Sequence, residues 1–354
     1  MSNFTADDFH IDNGMITELT DSGRDKLIAS GCTIDTFPSE AVTIGEFAFT
    51  ENNIVAIKDW GNITAIENLA FYNNQVTALP DSWGNVTSIG DHAFSGNEIT
   101  ALPDNWGSVT TIGRFAFSGN EITALPDNWG SVTSIGYWAF YNNKITALPG
   151  SWGRITSISG YAFWGNQITA LPDSWGSITS IGDSAFENNR ITALPDDWGN
   201  VSIIRGCAFR SNEITALPDS WGNITSIGYE AFSRNQITAL PDSWGSITSI
   251  GYGAFSSNQI TALPNDWGDV TIIGDRVFHD NQITELPESW GRINSIGRSS
   301  FGSNNIVALP GDWGRVTSIG DYAFSYNQIT ALPDSWSEVA YVGKNAFGEN
   351  HIVG

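Results

Sequence analysis

One aromatic residue sets the architecture. Tryptophan recurs at 60, 83, 106, 129, 152, 175, 198, 221, 244, 267, 290, 313 and 336, a spacing of 23 with no slippage. Phenylalanine keeps the same beat from Phe71 to Phe347, and twelve of the thirteen prolines, Pro80 to Pro333, hold one repeat position. An earlier copy ending at Phe49 is one residue short, and its Ile57-Lys58-Asp59-Trp60 lacks the proline of later copies. A period of this length marks a solenoid or array, because one repeat cannot bury its own apolar face and stacked repeats can. The 354 residues would otherwise suggest two or three domains.

The unit from Phe71 to Ala93 contains three short segments. Val76-Thr77-Ala78-Leu79 is β-branched, is closed by Pro80 and reads as a short strand. Val86-Thr87-Ser88-Ile89 reads as a second extended segment closed by Gly90. Ile89, Ala93 and Phe94 have helical spacing, so a short helical or 3₁₀ turn is expected there. The predicted fold is therefore a β-rich repeat solenoid of about fourteen 23-residue coils over 41–354, with short parallel strands and short helical or 3₁₀ turns.

Ile-Gly-x-x-Ala-Phe followed by a Leu-Pro or Ile-Pro strand end, at 23 residues per repeat, resembles the BspA-like (Treponema-type) leucine-rich repeat across residues 41–354. The chain departs from that pattern in having Asn74, Asn97 and Asn120 where the family often has Cys, and in a shorter strand followed by Trp-Gly. Asn97-Glu98-Ile99-Thr100-Ala101-Leu102-Pro103 resembles other bacterial leucine-rich repeats instead. Residues 1–40 fall outside the period and resemble the N-terminal cap of Gram-positive repeat proteins. One short helix is expected there, started by Thr20-Asp21-Ser22, striped by Leu27 and Ile28 and stopped at Gly31. The other end, Asn350-His351-Ile352-Val353-Gly354, lies mid-repeat without a dedicated cap, so self-association through it is an expectation.

A residue present in every coil becomes a ladder. The Asn ladder from Asn74 to Asn350 is expected to bond backbone groups of the neighbouring turn. Phe, Ile and Leu are expected in the core, and the Trp ladder in the core or at a half-buried corner. Asp81, Asp104, Asp127, Asp173, Asp219, Asp242 and Asp334, with Glu288, share the position after Pro, and each Asp is expected to cap its turn by accepting a backbone N–H. Calcium between coils is the rival reading of that ladder, but no Asp-rich calcium loop is present and no cofactor is expected. Thr ladders from Thr77 and from Thr87 raise ice binding as a third functional reading, although strand propensity explains Thr more simply.

The informative residues vary against this background. Eight of the nine tyrosines, and both tryptophans outside the ladder, lie among the two residues before Ala-Phe or the two after it. Tyr, Trp, Arg, Ser and Gly on a rigid frame compose a recognition surface. Phe115, Trp138 and Tyr161 share one position in successive coils, and Tyr141 and Trp164 share another. The predicted ligand-binding patch is Arg114, Phe115, Tyr137, Trp138, Tyr141, Lys144, Tyr161 and Trp164, exposed and aromatic.

Charge narrows the partner. With 15 Lys+Arg against 38 Asp+Glu the chain carries −23, which excludes nucleic acid and anionic membrane as expected partners. No apolar run approaches the ~18 residues of a membrane span. Met1-Ser2-Asn3-Phe4-Thr5-Ala6-Asp7-Asp8 shows no signal peptide. The histidines His10, His92, His279 and His351 lack partners at catalytic or metal-ligand spacing, so an enzyme is not expected. The resemblance implies an extracellular or cell-surface binding or adhesion protein with a protein or glycan ligand. A structural rod or self-assembling surface component is the alternative.

Overall fold

The computed structural model describes residues 4–127, 129–264, 266–333 and 338–353. Two compact units divide the chain: Met1–Ile168 with Gly176–Ile178, and Thr169–Trp175 with Thr179–Gly354. The architecture is a β-solenoid of about 13 turns of about 23 residues.

The first unit opens with a hairpin that the repeat period does not announce. Strands Phe9–Asp12 and Met15–Leu19 pair antiparallel. Asn13 (φ 49°) and Gly14 (φ 80°) join them, the left-handed pair that a two-residue type I′ turn requires. Helix Asp21–Ala29 follows, with the Thr20 hydroxyl accepting from the Gly23 N–H at 3.2 Å. Leu27 packs inward, whereas Ile28 points to solvent rather than continuing an apolar stripe. Met15-Ile16 then pairs parallel with Thr43-Ile44, so the hairpin edge templates the ladder. Thr33-Ile34 already pairs with Ala56-Ile57, so regular stacking begins before residue 41.

From there each coil adds a two-residue parallel strand. In the first unit Thr43–Ile44, Ala65–Ile66, Ser88–Ile89, Thr111–Ile112 and Ser134–Ile135 pair in register. In the second unit Ser180–Ile181 to Ser249–Ile250 form one ladder and Ile272–Ile273 to Tyr341–Val342 another. From Thr43–Ile44 to Ser318–Ile319 the second residue is a buried Ile and the first faces outward, the period-two alternation of a pleated strand. The Val76–Leu79 segment is extended but forms only an isolated bridge at Ala78. Pro80 lacks the N–H that would lengthen the ladder.

After Ile89 the chain turns back through two i→i+3 bonds, Ala93 N–H to Gly90 O at 3.3 Å and Ser95 N–H to His92 O at 3.1 Å. His92 sits at φ 56°, which stops these turns from propagating as a helix. The backbone bonds of the two sides run in opposite senses. The Gly90 N–H donates to Ile66 O of the preceding coil, and the His92 N–H to Arg114 O of the following one.

The ladders fill the interior. Phe71, Phe94 and Phe117 stack at 5.2 and 5.5 Å, within 5° of parallel. The described ladder tryptophans, Trp60 to Trp313, are no more than 2% exposed, which settles them as core; Trp336 lies outside the described residues. The indole N–H groups of Trp83, Trp106 and Trp129 are buried without a hydrogen-bond acceptor, their rings tilted or edge-on to Phe94, Phe117 and Phe140. Asn97 shows what the asparagines do. Its Oδ1 accepts from the Val76 N–H at 3.0 Å, and its Nδ2 donates to Phe71 O of the preceding coil at 2.9 Å and to Phe94 O of its own at 3.1 Å.

The acidic ladder behaves differently from expectation. Asp81, Asp104, Asp127, Asp173, Asp219 and Asp242 are exposed, and the cap comes one residue later. Ser82 Oγ and Asn105 Oδ1 accept from the N–H of Gly84 and Gly107 at 3.1 and 2.8 Å, and Asp197 and Asp312 do the same for Gly199 and Gly314. Spacing decides this, because an i→i+2 side-chain turn has to reach the glycine that follows Trp. Asp334 lies outside the described residues. Among the described residues no three His, Cys, Asp or Glu side chains lie close enough to share a metal ion, and no helix is long and apolar enough to cross a membrane.

Candidate functional site

The backbone decides how the variable side chains meet. The residue before Ala-Phe is left-handed in coil after coil: His92, Phe115, Trp138 and Tyr161 have φ of 54–57°. A bulky residue is costly there, so this conformation holds only where its surroundings over-determine it. Backbone bonds supply that determination. The Phe115 N–H donates to Tyr137 O at 2.9 Å and the Trp138 N–H to Gly160 O at 3.2 Å.

A shared left-handed φ at one position of successive coils projects these side chains in the same direction, one coil apart. The result is a four-ring stack: His92 on Phe115 at 4.5 Å, Phe115 on Trp138 at 4.9 Å and Trp138 on Tyr161 at 4.6 Å, with interplanar angles of 11°, 2° and 11°. Tyr72 meets His92 edge-on at 6.2 Å. Of the patch predicted as exposed, Arg114, Tyr137 and Lys144 are exposed, whereas Phe115, Trp138, Tyr141, Tyr161 and Trp164 are half-buried, and both faces of Phe115 and Trp138 are covered by neighbouring rings. What reaches solvent is the row of ring edges.

Beside this row Tyr137 is 47% exposed, tilts against Trp138 at 5.9 Å and carries the Arg114 guanidinium over its ring at 5.8 Å. Tyr141 and Trp164 form a separate two-ring stack at 5.0 Å. Lys144 does not join either stack; it forms an ion pair with Glu121, the residue at its own position in the preceding coil. The sequence reading placed Arg114, Phe115, Tyr137, Trp138 and Tyr161 together, and they are together. It missed Tyr72 and His92 as members, although His92 shares the repeat position of Phe115. Burial lowers the His92 pKa; Asp91 acts to raise it and Arg114 to lower it. The stack therefore ends on an uncharged imidazole at neutral pH.

Position two before Ala-Phe is less free than its variability suggests. Asp91 Oδ1 accepts from the Arg114 N–H at 2.6 Å, and Asp275 and Asp321 accept from Arg298 and Lys344 in the same way. Part of that variation is structural capping between coils.

Comparison with known proteins agrees with this geometry. The sequence pattern of the BspA type leucine-rich repeat region matches residues 30–123, 87–215, 179–307 and 225–353. A leucine-rich repeat protein from Bacteroides ovatus is similar in structure, with a TM-score of 0.59 at 19% identity, over 96% of this chain and 89% of that one. Another from Eubacterium ventriosum gives 0.50 at 14% identity, over 97% and 92%. At such identities the likeness shows the fold alone. No curated protein sequence matches significantly. Family pattern, coil length and fold together place this chain in the BspA-type leucine-rich repeat family.

Proposed function

We propose that the chain is a non-enzymatic binding module of an extracellular or cell-surface protein, and that it presents the ring edges of His92, Phe115, Trp138 and Tyr161, with Tyr137 and Arg114 beside them, to a protein ligand. The carrying observation is the four-ring stack on an otherwise acidic frame. A ridge of aromatic edges flanked by a Tyr and an Arg has the composition of an interface hot spot. A glycan is the weaker ligand, because sugar stacking needs a free ring face and the inner rings have none. A glycan or rod role then falls to other parts of the surface.

The test is an array of extracellular matrix proteins and glycans probed with the wild type and with the Trp138→Ala/Tyr161→Ala variant. The expected outcome is a protein hit weakened at least tenfold in the variant, roughly the loss of one hot-spot side chain. A hit of equal strength in both forms refutes the assignment of this surface.

A further inference from the structure

A second feature lies wholly in the second unit, away from the aromatic row in sequence and opposite to it in chemistry. A cavity of about 230 Å³ is lined by Arg210, Arg234, Arg276 and His279, with Glu230 among them. Three guanidinium groups at one cavity is a concentration of charge in a chain with only 15 Lys and Arg.

The repeat explains why the cavity exists. In the row before Ala-Phe, Glu230 and Arg276 flank Gly253, so the middle coil contributes no side chain. A Cβ on Gly253 would sit 3.3 Å from Glu230 Cγ and 3.3 Å from Ser256 Oγ, among the lining residues. In the row after Phe, Arg210 and His279 flank two small residues, Ser233 and Ser256, whose hydroxyls bond each other at 2.9 Å. Two rows have gaps at the same level, and charged residues close both ends.

Its arginines differ in how they are held: Arg210 is half-buried and paired, whereas Arg234 and Arg276 are exposed. Arg210 Nη1 meets Glu230 Oε2 at 3.0 Å, and Arg210 Nε lies 3.7 Å from Glu187 Oε1. Arg234 and Arg276 have no carboxylate of the described residues within 4 Å. Asp280, the other nearby acid, accepts from Ser257 Oγ at 2.9 Å. Two buried polar atoms, Arg210 Nε and His279 Nδ1, have no hydrogen-bond partner. Arg210 Nε lies on the Glu187 side, which is outside the lining, and His279 Nδ1 lies beside Gly302, so the cavity is characterised by its lining side chains. The remaining lining is hydroxyl-rich: Ser233, Ser256, Ser257 and Tyr252, a residue 45% exposed.

We propose that this cavity binds an anionic sugar residue, a single ring carrying a carboxylate or sulfate. Guanidinium groups match the oxyanion, and the serines and Tyr252 match the ring hydroxyls. The volume falls below the roughly 300–1,000 Å³ of drug-sized pockets and suits one ring.

The test uses the full chain titrated by calorimetry with glucuronate and with glucose 6-sulfate, which distinguish carboxylate from sulfate, and with glucose and inorganic sulfate as controls. At least one anionic sugar is expected to bind, at least tenfold more tightly than glucose or inorganic sulfate. Gly253→Phe is expected to abolish binding by filling the gap; Phe115 holds the same row position at φ 54°, against 59° for Gly253, and a circular dichroism melt checks that the strained variant still folds. Arg276→Gln is expected to weaken binding roughly tenfold or more, the loss of one charge-assisted hydrogen bond. Absence of binding by both anionic sugars, or an unchanged affinity in Gly253→Phe, overturns the proposal. Inorganic sulfate binding as tightly as glucose 6-sulfate overturns the sugar assignment.

Discussion

Replacing Asn120 with alanine tests the reading of the asparagine ladder. Asn120 is 4% exposed and accepts from the Ile99 N–H at 3.0 Å. It donates to Phe94 O at 2.8 Å and Phe117 O at 3.1 Å. Those two carbonyls do not become orphans when the side chain is removed. Phe94 O also accepts from Asn97, and Phe117 O from Asn143 at 2.9 Å, because each carbonyl is shared by the asparagines of two coils. Only the Ile99 N–H is stranded. Stranding one buried donor costs about 1–3 kcal/mol, and losing two further bonds costs about 1 kcal/mol each. The expected destabilisation is about 3–5 kcal/mol, read as a lower urea midpoint.

Hydrogen exchange locates the damage. Solenoid stability is carried by neighbouring coils, so protection is expected to fall first at Ile99 and in the coils on either side. Asn120→Asp sharpens the test by keeping the acceptor and removing both donors. Burial raises the new carboxyl's pKa in the folded state above its unfolded value. The folded state then binds more protons between those two pKa values, so the variant is expected to recover stability as pH falls through that window. An Asn120→Ala midpoint equivalent to less than about 1 kcal/mol, the worth of one ordinary hydrogen bond, would refute the reasoning.

Three further expectations follow from the same accounting. Trp129→Phe should cost less than about 2 kcal/mol against about 3–5 for Trp129→Ala, since the lost indole N–H has no acceptor; equal costs in denaturant titrations would contradict this. Burial acts to raise the Asp8 pKa, but the Lys26 ammonium at 2.7 Å and bonds from Thr5 outweigh it and leave it below the ordinary 3.8. The unfolded chain therefore takes up that proton first, and the N-terminal segment should lose stability as pH falls below about 4; an Asp8→Asn variant with an unaltered acid transition would exclude the linkage. The hydroxyls of Thr87, Thr110 and Thr133 each donate to a carbonyl of the preceding coil at 2.9–3.2 Å, so they serve the ladder rather than a water lattice. Thermal hysteresis at the buffer baseline is expected, and a measurable gap would restore the ice-binding reading.

Much of this was legible because the repeat multiplies every signal. Thirteen tryptophans in phase identify a solenoid whatever any one residue prefers, and an asparagine in every coil has to bond the coil beneath it. The opening hairpin was equally legible in Asn13-Gly14 between alternating apolar and polar residues, a two-residue turn that the 23-residue period does not contain. The acidic cap was misplaced by one residue because both neighbours carry suitable oxygens, and only the distance to Gly84 chooses Ser82 over Asp81. The alignment of the variable aromatic residues was legible, but their depth was not. The repeat period says that Phe115, Trp138 and Tyr161 align; it does not say that alignment on a left-handed backbone closes their faces against one another.

That backbone position also explains how one scaffold carries different surfaces. The residue before Ala-Phe is Leu69, His92, Phe115, Trp138, Ser184, Cys207, Glu230 and Arg276 in different coils, all at φ between 48° and 57°. Its N–H bonds the next coil through backbone alone, as the His92 N–H does to Arg114 O and the Arg276 N–H to Arg298 O, both at 2.8 Å. Side-chain identity is thereby separated from the hydrogen bonds that hold the coil. In the first unit the row is filled with rings and makes a ridge, and in the second a glycine between Glu and Arg makes a hole. A frame that fixes φ and leaves the side chain free lets binding chemistry change without repacking the core.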